Sequence, residues 1–133
     1  MFLLRKPILA LSGNSAVRDA LTNTPLTRSV VDRFIPGETA RDAVDAVTRL
    51  RGAGMQVTLD HLGEDTTDRA TADATVDAYL EVVQALTVAG QVAGAELSVK
   101  LSAVGQALLA SPDLPAGGNA YALAGARRIT DAA

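Results

Sequence analysis

Charged side chains near the ends of two strand-like segments are the residues of this chain best suited to chemistry. Asp60 and Glu64 follow the apolar stretch that begins at Met55, and Lys100 lies in the stretch that begins at Ala95. An ammonium group in an apolar strand needs a partner, because burying an unpaired charge costs several kcal/mol. Lys100 therefore either binds an anionic ligand, such as a carboxylate, or forms a structural ion pair with Asp60 or Glu64. The pattern leaves both interpretations open.

The residues around these charges also have competing interpretations. His61 either acts as a general base or packs beside the strand end with one satisfied hydrogen bond. Glu64 either reaches a substrate or an arginine, or is an exposed carboxylate near a helix N-terminus, where negative charge is favourable. Arg127 and Arg128, in the last predicted helix, are expected to form a solvated basic turn near its C-terminus. Because the chain has no cysteine and one histidine, we expect no metal site, and we name no catalytic residue.

Two strands and the helix between them must position these charges. The pattern predicts strands over 55–62 and 95–105 and a helix from about 68 to 89, which together form a βαβ unit. Its strands are parallel, so their carboxyl ends meet at one edge of the sheet, where (β/α)8 barrels carry their active sites. Side-chain oxygens just before the helix are expected to cap it, on Asp65, Thr66 and Thr67. The apolar stripe of this helix is predicted to consist of Ala72, Val76, Tyr79, Leu80, Val83 and Leu86.

Further helices are predicted on both sides of the βαβ unit. Segments over 15–22 and 26–34 have apolar residues at helical spacing, and a third helix is predicted from Glu38 to Gly52. Asn119 is expected to cap a final helix. The apolar face of that helix is predicted to consist of Leu123, Ala126 and Ile129.

These elements predict an α/β fold with two parts. Residues 1–54 form a helical segment, and residues 55–133 form the first two strand–helix units of a (β/α)8 barrel. A complete barrel takes about 250 residues. Because two parallel strands leave open edges, we expect that the chain can associate with itself or with another chain through them.

Composition and charge argue against several classes of function. The net charge is −3 and no basic block stands out, so nucleic-acid binding is not expected. No glycine-rich phosphate-binding pattern opens either helix, which disfavours a nucleotide-binding Rossmann or P-loop domain.

The N-terminal residues are the part of the sequence that bears on the cellular location of the protein. Residues 1–12 fall short of the roughly 20 apolar residues of a membrane span, so a cytoplasmic location is predicted. Phe2, Leu3 and Leu4, followed by Arg5 and Lys6, either belong to a helix packed on the domain or make a weak contact at the inner membrane face.

The segments that hold the charges resemble the N-terminal part of proline dehydrogenases, especially the single-function bacterial type. The most specific feature is the strand around Lys100, preceded at this distance by the Leu-Gly-Glu turn that ends at Glu64. The resemblance covers nearly all of this chain but under half of a typical family member. It is carried by residues 24–28, 33–38, 57–65, 72–80, 97–103 and 105–106.

The resemblance implies a distorted (β/α)8 barrel that holds FAD and oxidises L-proline to 1-pyrroline-5-carboxylate, with a quinone or a similar acceptor taking the electrons. It implies that Lys100 helps to bind the substrate carboxylate, while Glu64 and Asp60 gate or surround the site. The paired arginines of the family lie near the end of its barrel, so Arg127 and Arg128 are not their counterparts. Most flavin contacts also come from later strands, so no flavin-binding residue is named here.

We therefore expect an N-terminal fragment, or a truncated relative, of a proline dehydrogenase that is inactive alone. The alternative is a non-catalytic α/β module, or a remnant, that oligomerises through its exposed strand edges. A flavin spectrum bleached by proline would favour the enzyme, and a colourless oligomer would favour the module.

Overall fold

The computed structural model describes residues 37–133, within which Thr39–Ala133 form a compact unit. The helices predicted over 15–34 and the membrane contact predicted for residues 2–4 lie outside the described residues. The α/β class is confirmed, while closure into a barrel and the domain boundary at 54/55 stay predictions. In chain order the elements are α1 (Ala40–Gly52), β1 (Val57–Asp60), α2 (Arg69–Val88), β2 (Ala95–Ser98) and α3 (Gly117–Ala132).

The helix α1 begins with a reciprocal cap. The Thr39 hydroxyl accepts a hydrogen bond from the main-chain N–H of Asp42, and the Asp42 carboxylate accepts one from the N–H of Thr39. Such a box satisfies two of the N–H groups that a helix start leaves unpaired. Val47 of this helix is fully buried and packs with Val57 and Leu86, which joins α1 to β1 and α2.

The strands β1 and β2 pair in parallel, with Val57 opposite Ala95 and Asp60 opposite Ser98. The predicted βαβ unit is therefore confirmed, and both strands end at the same edge. The strands are shorter than predicted. The chain turns after β2, where the N–H of Ala103 donates to the Lys100 carbonyl at 3.0 Å. The prediction was wrong because the apolar residues after Ser98 enter the core from a turn, which alternation alone does not distinguish from a strand.

The helix α2 carries the apolar stripe that the spacing predicts. Its cap differs from the expectation: the carboxylate of Asp68, not residues 65–67, accepts a hydrogen bond from the N–H of Thr71 at 2.8 Å. That bond lowers the pKa of Asp68 below its ordinary value. The core between α2, α3 and the turn after β2 is formed by Val76, Tyr79, Val104, Ala122 and Ile129.

The helix α3 begins at Gly117 and has no side-chain cap. The predicted cap, Asn119, lies inside its first turn, and its Oδ1 accepts a hydrogen bond from Nε2 of Gln106 at 3.1 Å. Gly117 has a φ of 67°, so the chain enters the helix from a left-handed turn that this glycine allows. Within residues 37–133, no helix is both long and apolar enough to cross a membrane.

Candidate functional site

The three predicted site residues meet at the carboxyl edge of the sheet. Nζ of Lys100 lies 2.8 Å from Oδ2 of Asp60 and 3.1 Å from Oε1 of Glu64. Asp60 ends β1, Glu64 lies in the loop before α2, and Lys100 follows β2. These three side chains are called the ammonium–carboxylate cluster below. The lysine is not buried in a strand as predicted, since its side chain is 43% exposed.

The cluster carries one positive and two negative charges. Hydrogen bonds from the ammonium to Asp60, and then to Glu64, raise the pKa of Lys100 above its ordinary value of 10.5. Partly exposed ion pairs of this kind add little to stability, because water screens them. Both carboxylates pair with the same ammonium. One of the two ion pairs can therefore break while Lys100 stays paired with the other carboxylate.

A main-chain hydrogen bond holds the loop of Glu64 near Lys100. The N–H of Thr66, a buried residue, donates to the carbonyl of Ser102 at 3.0 Å. Asp65 has a φ of 53°, a left-handed conformation that aspartate tolerates better than most residues. The bond between Thr66 and Ser102 joins the backbones of the two loops that flank the cluster.

Tyr79 of α2 belongs to this site, although sequence reasoning counted it only as part of the apolar stripe. Its hydroxyl donates to the carbonyl of Ser98 at 2.7 Å and accepts from the N–H of His61 at 3.0 Å. The same oxygen lies 3.4 Å from Oδ1 of Asp60. Burial is the main cause that raises the pKa of Tyr79. A phenol in a buried stripe needs a polar partner, and that was the signal available in the sequence.

The other sequence candidates lie differently. His61 touches the site through its main-chain N–H, and its ring centroid is 5.8 Å from that of Tyr79. The role of His61 as a general base stays a prediction. Arg128 is exposed and lies in α3, the last helix, as predicted, and its Nη2 is 3.4 Å from Oδ1 of Asp77 at the surface. Across residues 37–133, no group of histidine and carboxylate side chains is arranged to hold a metal ion.

A cleft of about 410 Å³ adjoins the sheet, but it does not fit a flavin cofactor. Residues of α2, β2 and α3 line it, and Glu96 is the charged side chain among them. The diphosphate of FAD needs cations or a free helix N-terminus, which this cleft does not supply. Lys100 lies at the carboxyl edge and does not line this cleft. The described residues therefore carry no step through a flavin.

The ion pairs of Lys100 give a pH prediction. A raised lysine pKa stabilises the fold fully below the ordinary value of 10.5, and this contribution is lost as the pH rises through the higher folded-state value. We expect the difference in unfolding free energy between wild type and Lys100→Met to be constant from about pH 8 to about pH 10 and to shrink above that. Denaturant titrations at each pH would measure it.

Arg128→Met is the matched control for this measurement. Arg128 also pairs with an exposed aspartate, Asp77, but a guanidinium keeps its proton throughout this range. Its difference from wild type should therefore not shrink in the same window. A flat profile for Lys100→Met as well would mean that the lysine contacts contribute nothing to the folded state.

The comparisons with known proteins match part of the chain. No protein-family model matches the chain. It is 34% identical over 79 residues to Proline dehydrogenase 1 of Bacillus subtilis (strain 168). The corresponding protein of Bacillus subtilis subsp. natto gives the same identity over the same length. Each match covers 59% of this chain and 26% of the relative, so the chain matches about a quarter of the length of these proteins. The matches support a relationship to proline dehydrogenase over that segment.

Proposed function

We propose that this chain carries the part of a proline dehydrogenase that binds the charged groups of L-proline. One observation carries the proposal: the ammonium of Lys100 is held between two carboxylates at the carboxyl edge of a βαβ unit. In parallel α/β folds this edge is where ligands bind. The 34% identity to proline dehydrogenases supports the same reaction class, an oxidoreductase acting on proline.

The charges of the cluster complement those of a free amino acid. L-proline carries a carboxylate and a secondary ammonium, whereas the cluster offers one ammonium and two carboxylates. Glu64 is the carboxylate that yields, since its side chain is 63% exposed, against 39% for Asp60, and it lies farther from the lysine. Lys100 then binds the substrate carboxylate while Asp60 stays beside it. Glu64 is released and turns to the substrate ammonium.

The oxidation itself converts the C–N single bond of proline into a C=N bond and removes two electrons and two protons. In the proposed whole protein, FAD would supply the two-electron acceptor, and a quinone or a similar acceptor would receive the electrons in the cytoplasm or at the inner membrane face. The described residues of this chain supply binding and orientation. By itself the chain is therefore expected to bind proline without oxidising it.

Three small molecules test which charges of a ligand the cluster binds. L-proline carries both charges, cyclopentanecarboxylate carries the negative one and pyrrolidine carries the positive one. We expect L-proline to bind most tightly and to shift the NMR signals of the Lys100 and Glu64 side chains. Lys100→Met should weaken proline binding about tenfold or more, the scale of a lost charged hydrogen bond. Arg128→Met, which removes an exposed cation paired with Asp77, should leave binding unchanged.

Each outcome of this titration has a definite meaning. Equal binding by wild type and Lys100→Met would contradict the proposed carboxylate site. Equal binding of cyclopentanecarboxylate and L-proline would contradict the contact between Glu64 and the substrate ammonium. No binding of any of the three, together with a stable oligomer in sedimentation, would favour the non-catalytic interaction module over the enzyme.

A further inference from the structure

One hydroxyl group connects the ends of both strands. The side chain of Tyr79 reaches from α2 to the carboxyl edge of the sheet, where it bonds to the carbonyl of Ser98 in β2 and to the N–H of His61 just after β1. Asp60 and Ser98 are opposite each other in the sheet. Tyr79 therefore fixes the two strand ends against each other at the point from which Asp60 and Lys100 extend.

The ring and the hydroxyl of Tyr79 do different things. The ring is part of the core with Val76, Val104 and Ile129, and the residue as a whole is 3% exposed. A phenylalanine would fill the same space. The hydroxyl adds the two main-chain bonds and the proximity to Asp60, so what it contributes beyond packing is directed at the cluster.

A phenol has one proton, and that limits what the hydroxyl can do at one time. The 2.7 Å contact to the Ser98 carbonyl takes the proton, which leaves Oδ1 of Asp60 at 3.4 Å, near the limit for a hydrogen bond. Oδ2 of the same carboxylate is bound to Lys100. If the lysine moves toward a ligand, a short rotation of the hydroxyl brings its proton to Asp60.

We propose that Tyr79 is a positioning residue for the ammonium–carboxylate cluster. Through its bonds to the Ser98 carbonyl and the His61 N–H, its hydroxyl fixes the strand end that carries Asp60, the partner of Lys100. It donates to Asp60 itself when Lys100 turns to a bound carboxylate. Its relevance to proline rests on the proposed function, while its effect on the free cluster does not. Tyr79 acts on the ligand through Asp60 and Lys100 rather than by contact.

Tyr79→Phe tests this role, with Tyr121→Phe as the matched control. The chain has two tyrosines, and the hydroxyl of Tyr121 also donates to a carboxylate, that of Asp73, in a separate surface cluster with Arg69. NMR titration of the Lys100 amine and a proline binding isotherm are measured for the full chain. We expect Tyr79→Phe to lower the pKa of Lys100 toward its ordinary value and to weaken proline binding about threefold to tenfold. Tyr121→Phe should change neither.

A merely structural role predicts something else. In that case Tyr79→Phe would reduce stability but leave the pKa of Lys100 and the proline affinity of the folded protein unchanged, which would overturn the proposal. If wild type does not bind proline at all, the proposed function fails. The pKa comparison would still decide whether Tyr79 positions the cluster.

A second measurement covers the case in which Tyr79→Phe does not fold. In wild type, the buried hydroxyl proton of Tyr79 should exchange slowly enough to be seen by NMR. Lys100→Met removes the competing cation from Asp60, so we expect the resonance of that proton to shift markedly. A resonance at the same position in both proteins would show that the hydroxyl does not sense the lysine, and the proposal would be wrong.

Discussion

Gly118→Ala is expected to destabilise the fold by about 3 kcal/mol, which lowers the unfolding midpoint by roughly 10 °C. A Cβ atom at Gly118 would lie 2.3 Å from the carbonyl oxygen of Gln106 and 2.5 Å from that of Gly105. Both contacts are to main chain, so no side chain can rotate away. Either α3 or the turn after β2 must move, and thermal unfolding followed by circular dichroism would measure the cost.

Alanine substitutions at two other glycines are expected to cost less stability than Gly118→Ala. At Gly52, the last residue of α1, an added Cβ meets nothing within 4 Å, so alanine there is expected to be neutral or slightly stabilising. At Gly125 the Cβ would lie 2.9 Å from Cγ2 of Val76, a side-chain atom that can partly yield. Gly125→Ala should therefore fall between the other two. A Gly118→Ala protein as stable as Gly52→Ala would mean that the close approach of α3 is not needed.

The close approach at Gly118 also affects the cluster. The N–H of Gly118 donates to the carbonyl of Leu108 at 3.0 Å, which ties α3 to the turn that follows Lys100. Within that turn, the N–H of Ala103 donates back to the Lys100 carbonyl. A helix displaced by an extra methyl group would therefore disturb the segment that presents the lysine as well as the core behind it.

The elements and their order could be predicted because each has a strong local signal. Thr39 begins α1 as the pattern indicates, and α2 carries a regular apolar stripe. The end of β2 could not be predicted in the same way. Val99 and Leu101 continue the alternation of a strand, yet both pack on the core from outside it. Alternation of apolar and polar residues occurs both in a strand and in a short extended segment that leads into a turn. Only the tertiary packing shows which of the two a given segment forms.

The charged residues of the site could be predicted from the sequence, but the contacts of Tyr79 that hold them could not. Asp60, Glu64 and Lys100 could be grouped because parallel strands bring their carboxyl ends together. The sequence also left open an ion pair with either carboxylate, and the structure shows contacts to both. Tyr79 was missed because its helical spacing explains it fully as a core residue. A hydroxyl at the far end of a ring reaches a neighbouring element, and spacing along one helix does not show which element that is.

Ile129→Ala is expected to cost about 3 kcal/mol of stability, within the range for truncating a buried isoleucine. Ile129 is 2% exposed and belongs to the core cluster with Val76, Val104 and Ala122. Its removal leaves a cavity where α3 packs on α2. Denaturant unfolding would measure this loss. The midpoint should fall, while the dependence of the unfolding free energy on denaturant concentration should change little.

Leu123→Ala is the control that separates burial from hydrophobicity. The spacing predicts Leu123 and Ile129 on one apolar face of α3, but Leu123 is 46% exposed. Alanine also favours a helix slightly more than leucine, so Leu123→Ala should change stability by less than about 1 kcal/mol. Equal losses from the two substitutions would mean that Leu123 is covered in solution, by another part of the chain or by a second molecule. A large loss for Ile129→Ala alone would show that the buried face of α3 stabilises the fold, so that the core shared with Tyr79 supports both the helix and the hydroxyl at the cluster.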